Sequence, residues 1–214
     1  MKYGSLDRPG YLPDCLGDRE VCMRFEDCQW SMKTQYKQTA DGIQIYAPAG
    51  TDLFVNLENG SIKADAPFLF REVEGDFVLR AKVSHAFQST FDACALLAMD
   101  HETLWAKACF EYSDLGGHAI VSVMTNGRSD DANGVNIADN AVWLQLARKD
   151  NVFAIHHSLD GNTFEMARIC FLPMRPIVKV GLVAQSPLGS GGIRKFKHVS
   201  LEQRSLQDIR NGNQ

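Results

Sequence analysis

No stretch of this chain stays apolar long enough to cross a bilayer as a helix. The longest such run, Ala93 to Met99, falls far short of the ~20 residues a span needs. None of the six cysteines (Cys15, Cys22, Cys28, Cys94, Cys109, Cys170) forms a Cys-x-x-Cys pair, which argues against a zinc knuckle or a thioredoxin-type site and makes buried free thiols the expectation. Neither sign of charge dominates. The 22 Lys and Arg stand against 26 Asp and Glu, a net charge of −4, and no strongly basic nucleic-acid module has that balance. Gly189-Ser190-Gly191-Gly192 is followed by no Gly-Lys-Ser/Thr, so it is a turn and not a P-loop, and no Gly-x-Ser-x-Gly elbow occurs. Residues 1–9 lack the apolar core of a signal peptide, so the expected location is cytoplasmic, with no membrane partner. Helical spacing is not sustained over three turns anywhere.

Period-2 alternation is what remains, and it runs through most of the chain. Phe77, Leu79, Ala81 and Val83 alternate with Val78, Arg80, Lys82 and Ser84; Leu104, Ala106, Ala108 and Phe110 alternate with Trp105, Lys107, Cys109 and Glu111. Twelve such runs, from Gly42–Tyr46 to Phe196–Leu201, are separated by turn clusters such as Glu74-Gly75-Asp76, Lys149-Asp150-Asn151 and Asp160-Gly161-Asn162. Many short strands at regular spacing predict an all-β fold, an antiparallel β-sandwich of jelly-roll type. At 23.8 kDa the chain can bury ~70 % of its unfolded surface, so residues 1–214 are expected to form one domain. The extreme N-terminus and residues 202–214 are expected to be peripheral, the latter as a frayed tail with a helical turn near Leu206 and Ile209. Residues 126–140, rich in Asp, Asn and Gly, are expected to form a long loop.

One hairpin carries the chemistry. A four-residue loop Asp100–Thr103 pairs Met99 with Leu104 and brings the apolar sets of the two strands to one face. The other face then sets Cys94 opposite Cys109 and Asp92 opposite Glu111. Two carboxylates directly opposed on a strand pair repel, and the default explanation is local charge compensation on a polar face. The chemical alternative is a retaining glycosidase, whose carboxyl groups stand ~5–5.5 Å apart. The next hairpin, with Asp114–Gly117 as its loop, sets Trp105 opposite Asn126 and Lys107 opposite Met124. The polar face would thus gather Trp105, Lys107, Glu111 and Asn126, closed at its end by Asp130. An indole beside planar polar groups suits a sugar, apolar on its ring face and hydroxylated on its edge. The opposing reading packs Trp105 under a covering loop. Trp143 stands off the Val142/Leu144/Leu146 face and offers a second platform.

Metal chemistry finds little support. His156 and His157 are adjacent on a strand and point to opposite faces, so they do not chelate one ion together. His157, on the face of Phe153 and Ile155, reads as a satisfied core histidine. Asp130, Asp131, Asn133 and Asp139 supply hard oxygen ligands of the type calcium takes, but without EF-hand spacing, and a solvated loop is the default. No metal and no cofactor are expected.

Several of these strings resemble a family. Trp105-Ala106-Lys107-Ala108-Cys109-Phe110-Glu111-Tyr112, Val123 to Asp130, and Ser158-Leu159-Asp160-Gly161 are similar to the regulation-of-enolase-protein family; Thr51-Asp52-Leu53-Phe54, Ala66 to Leu69, Gly75-Asp76-Phe77 and Gly181 to Pro187 follow the same pattern in order. The resemblance spans roughly residues 25 to 200 and implies a concanavalin-A-like lectin/glucanase sandwich with a concave sheet face. Two positions depart from it: the family often has Trp where Asp131 and Phe54 stand, so a groove lined by those aromatics would be altered here. The laminarinase-type relatives of that fold carry Glu-x-Asp-x-x-Glu, which does not occur in this chain.

The sequence thus favours a non-catalytic binding module with a polar concave face for a carbohydrate-like or other polyhydroxylated ligand, using Trp105, Lys107, Glu111, Asn126, Asp130 and Trp143. The alternatives are a glycoside-acting hydrolase using Asp92 and Glu111, and a protein-interaction regulator of a metabolic enzyme.

Overall fold

The structure, a computed structural model, describes residues 22–86 and 88–213. A single 3₁₀ turn, Phe25–Asp27, precedes the strands β1 (Gln29–Trp30), β2 (Tyr36–Thr39), β3 (Gly42–Ala47), β4 (Leu53–Val55), β5 (Ile62–Ala64), β6 (Phe68–Glu74), β7 (Phe77–His85) and β8 (Ala93–His101). There follow β9 (Leu104–Tyr112), β10 (His118–Asn126), β11 (Ser129–Asn136), β12 (Ala141–Lys149), β13 (Val152–Ser158), β14 (Glu165–Phe171), β15 (Ile177–Gln185) and β16 (Gly192–Glu202). The first sheet has the order β1-β6-β15-β8-β9-β10-β11 and the second β14-β13-β12-β7-β16-β3-β2; β4 and β5 form a separate hairpin. All pairings are antiparallel, giving two seven-stranded sheets packed as a jelly-roll sandwich.

The core lies between the sheets. The predicted alternation places Phe77, Leu79, Ala81 and Val83 of β7, Val142, Leu144 and Leu146 of β12, and Leu104, Ala106, Ala108 and Phe110 of β9 on the inner faces. Covering both faces of an inner strand in this way removes apolar surface worth ~25 cal/mol per Å². The inner layer also holds one buried ion pair: Arg194 of β16 stands 2.9 Å from Asp92 of the opposite sheet, and both side chains are almost fully enclosed.

Neither outer face is left wholly to solvent. The β4–β5 hairpin lies over the first sheet, where Leu53 packs with Phe68, Ala95, Leu97, Trp105 and Val123 in a second apolar layer. The C-terminal segment lies over part of the second sheet. Leu206 is buried against Val78 and Ala147, and the carbonyls of Ile209 and Gly212 bond His156 Nε2 (3.0 Å) and Gln145 Nε2 (3.1 Å). Residues 203–213 are therefore a docked strap and not a frayed tail, with a turn at Asp208–Asn211 in place of a helix.

Other expectations also need correction. Residues 126–140 are no loop: Gly127, at φ 76°, turns the chain tightly and Ser129–Asn136 returns as the edge strand β11. Cys28, Cys94, Cys109 and Cys170 are free thiols as expected, whereas Cys22 is disulfide-bonded; Cys15 lies outside the described residues.

Candidate functional site

The strand β9 positions the site by its own alternation. With Leu104, Ala106, Ala108 and Phe110 turned inward, Trp105, Lys107 and Glu111 emerge on the outer face of the first sheet. They emerge into cover and not into solvent. Trp105 is buried beneath the hairpin, and its Nε1 donates to the Glu102 carbonyl at 3.1 Å. Lys107 Nζ donates to the Leu53 carbonyl at 2.8 Å and to Gln185 Oε1 at 2.9 Å, with Asp52 Oδ1 at 3.8 Å and the Trp105 ring centroid at 5.4 Å. The hairpin is pinned at its other end, where Ser129 Oγ accepts from Val55 N at 2.8 Å and lies 2.8 Å from Thr125 Oγ1. The packed-under-a-cover reading of Trp105 is what the structure shows.

Glu111 is the exception in this arrangement. Its neighbours across the ladder are Ala93 and Ala119, so no long side chain flanks it on either strand. It is 5 % exposed, and among the described residues no hydrogen bond or ion pair reaches its carboxyl group. Burial pushes that carboxyl up to about 8; the Lys107 ammonium pulls it down, and Asp52, Asp131 and Asp114 add to the rise. A carboxyl that is neutral near pH 7 both donates and accepts, and Lys107 beside it donates only.

The opposition of Asp92 and Glu111 does not exist. Ala93, and not Asp92, stands opposite Glu111, because the whole β8–β9 register is displaced by one residue. The cause is a bulge between Met99 and His101: Asp100 is the extra residue, held by the backbone N–H and guanidinium of Arg175, and the turn shortens to Glu102-Thr103. Asp92 accordingly faces the inter-sheet core, where Arg194 and the Ser186 hydroxyl (2.6 Å) satisfy it. Cys94 and Cys109 are likewise on opposite faces. A two-carboxylate glycosidase centre built on Asp92 and Glu111 is thereby overturned.

The remaining candidates scatter. The β9–β10 register is also displaced by one, setting Trp105 opposite Thr125 and Lys107 opposite Val123, so Asn126 leaves the face of Trp105 and ends β10 in solvent. Asp130 pairs with Met124 and turns toward β14, where Arg168 lies 3.1 Å away; Asp131 pairs with Val123 and shares the outer face with Lys107. Asp130 and Asp131 thus diverge, and among the described residues no group of three His, Cys, Asp or Glu converges as a metal site. Trp143 does stand off the core face, but on the outer face of the second sheet, across the sandwich from Trp105. It stacks on His198 with centroids 5.6 Å apart, and Gly161 approaches so closely that a Cβ there would lie 2.7 Å from the indole. His157 faces inward as predicted but is not satisfied, since its Nδ1 has no partner among the described residues.

Asp52 and Gln185, which join Lys107 in the cluster, were not among the predicted site residues. A signal was present: the strings 51–54, 105–112 and 181–187, each quoted above for the resemblance, meet at Lys107.

Comparison with known proteins follows the fold. A functionally unknown protein from Saccharomyces cerevisiae superposes with a TM-score of 0.79 at 25 % identity, covering 85 % of this chain and 99 % of its own. The GH43 protein BlXynB from Bacillus licheniformis gives 0.67 at 11 % identity, covering 86 % of this chain but only 38 % of that one. The carbohydrate-binding module CBM66 from Bacillus subtilis gives 0.56 at 12 % identity, covering 81 % and 94 %. No curated protein matches. The family described as "Protein of unknown function (DUF1349)" matches residues 30–204, and the chain belongs to that family.

Proposed function

We propose that the chain is a non-catalytic binding module for a carbohydrate-like ligand, received at Lys107 and Glu111 on the outer face of the first sheet. The observation that carries the reading is the Glu111 carboxyl, largely buried and without a hydrogen-bond partner among the described residues, beside the Lys107 ammonium that donates to Leu53 and Gln185. A carboxyl on a covered face, with no hydrogen-bond partner among the described residues, has its donor and acceptor capacity free for a ligand. A ligand hydroxyl pair fits it, one oxygen accepting from the neutral carboxyl and one donating to it. Likeness to a carbohydrate-binding module and to GH43 proteins supports the ligand class by analogy of fold alone. The β4–β5 hairpin is the cover that must yield, and Asp52 stands 3.8 Å from the Lys107 ammonium.

The test is a glycan array followed by calorimetry on the best binder. Wild-type binding that falls about tenfold or more in Glu111→Ala, the loss of one good hydrogen-bonded pair, supports the reading. Unchanged binding in that variant overturns it.

A second reading is a protein-interaction regulator of a metabolic enzyme, supported by the resemblance to the regulation-of-enolase-protein family. What favours it is the closure over Trp105 and Lys107, which leaves the outer surface of the cover for recognition. A partner captured stoichiometrically by the folded chain, with no glycan bound, would favour it over the first.

A further inference from the structure

The strap covers only part of the second sheet's outer face, and the uncovered part has an unusual charge. One ladder row across it reads Gly42, Lys197, Lys82, Trp143 and Ser158; the next reads Lys37, Gln44, Lys195, Ser84 and Ala141. Four lysines therefore share a patch of a chain whose net charge is −4. Lys197 and Lys82 stand directly opposite one another on antiparallel strands, where like charges repel. Only Lys197 has a carboxylate, Asp41 at 2.8 Å; among the described residues nothing pairs with the ammonium groups of Lys37, Lys82 or Lys195. Folding requires none of this, because Lys37, Lys195 and Lys197 are exposed and any neutral polar residue would relieve the repulsion.

The spacing is that of the sheet itself. Opposed residues lie ~5 Å apart and same-face residues along a strand ~7 Å apart. Trp143, half-buried and already stacked on His198, borders the amines in the same row as Lys82. We infer that this face binds an anionic polysaccharide, its carboxylates or sulfates on Lys82, Lys195 and Lys197 and a sugar ring beside Trp143. A nucleic acid is the weaker match. Its strand carries a charge every ~3.4 Å, and proteins that take it are basic overall, whereas this chain has a pI near 5.8. A glycan with one charge per ring spaces its charges more widely than a nucleic-acid strand, which suits amines ~5–7 Å apart.

This inference is independent of the Lys107–Glu111 reading, and one experiment separates them. The full chain is titrated with polygalacturonate, heparin, neutral xylan and a single-stranded oligonucleotide, alongside the triple variant Lys82→Gln/Lys195→Gln/Lys197→Gln and Glu111→Ala. Thermal melts confirm that each variant is folded. The expected result is binding of polygalacturonate or heparin that weakens about tenfold or more between about 50 and about 300 mM salt. The same binding is lost about tenfold or more in the triple variant and unchanged in Glu111→Ala. No affinity for either anionic glycan, full affinity in the triple variant, or equal affinity for the oligonucleotide would each overturn it. Loss of neutral-glycan binding in Glu111→Ala alone bears on the other face and leaves this one standing on its own result.

Discussion

Asp92, immediately before β8, and Glu111, on the neighbouring β9, sit at the same end of the first sheet, and their surroundings could hardly differ more. Asp92 faces the inter-sheet core and is answered by a guanidinium and a hydroxyl. Glu111 faces the covered outer surface and has no hydrogen-bond partner among the described residues. Burial alone therefore does not distinguish a structural carboxylate from a candidate functional one. Partnership does, because an enclosed ion with its hydrogen bonds made is finished, and an acid without a protein partner still has capacity to bind.

The comparison can be broken at either member. Asp92→Ala leaves Arg194 charged and enclosed, and breaking a buried pair in this way costs ~3–5 kcal/mol. Urea unfolding should show a loss of that size, and a loss under ~1 kcal/mol would mean that the pair is solvated after all. Glu111→Gln should act in the opposite sense. The folded carboxyl holds its proton up to about pH 8 and the unfolded one loses it near 4.5, so the folded state binds more protons across that window. Stability contributed by this group is whole below pH 4.5 and declines as pH rises through 8, by at most ~1.4 kcal/mol per unit. The variant should flatten that decline and exceed the wild type by roughly 2–4 kcal/mol at pH 8; parallel pH–stability curves for the two proteins would show that Glu111 is ionised or solvated. The smallest effect lies across the sandwich, where the strap's polar groups are partnered. Leu206→Ala should cost ~2–3 kcal/mol and raise hydrogen exchange at the strap. Protection unchanged from the wild type would mean that the strap is held by Gln145 and His156 alone.

The fold was legible because alternation is a local signal. All twelve alternating runs are strands, most within a residue or two of their predicted ends. The strands that escaped notice, β1, β2, β5 and β11, are short or polar. The β11 run Ser-Asp-Asp-Ala-Asn-Gly-Val-Asn has little β propensity and is held by its pairing with β10 along one edge. Register was much less legible. Every residue of β8 from Ala93 to Asp100 is buried, so Cys94, Leu96 and Ala98 are as suited to the core as Ala95, Leu97 and Met99, and coincidence of apolar faces could not tell the two apart. That discrimination works where one face is wet, and here the β4–β5 hairpin keeps both dry. Trp143 was placed correctly off the core because the face it occupies is open enough for polar residues to mark it.

The bulge at Asp100 acts as a parity device. The two-residue turn that follows it, continued without interruption, would set Asp100 opposite Trp105 and carry Asp92 to the same side as Glu111. One unpaired residue inverts which side every residue upstream of it occupies. It sends Asp92 to Arg194 and leaves Glu111 without a hydrogen-bond partner among the described residues, so the chemistry of one end of the sheet is decided by a count of residues at the other.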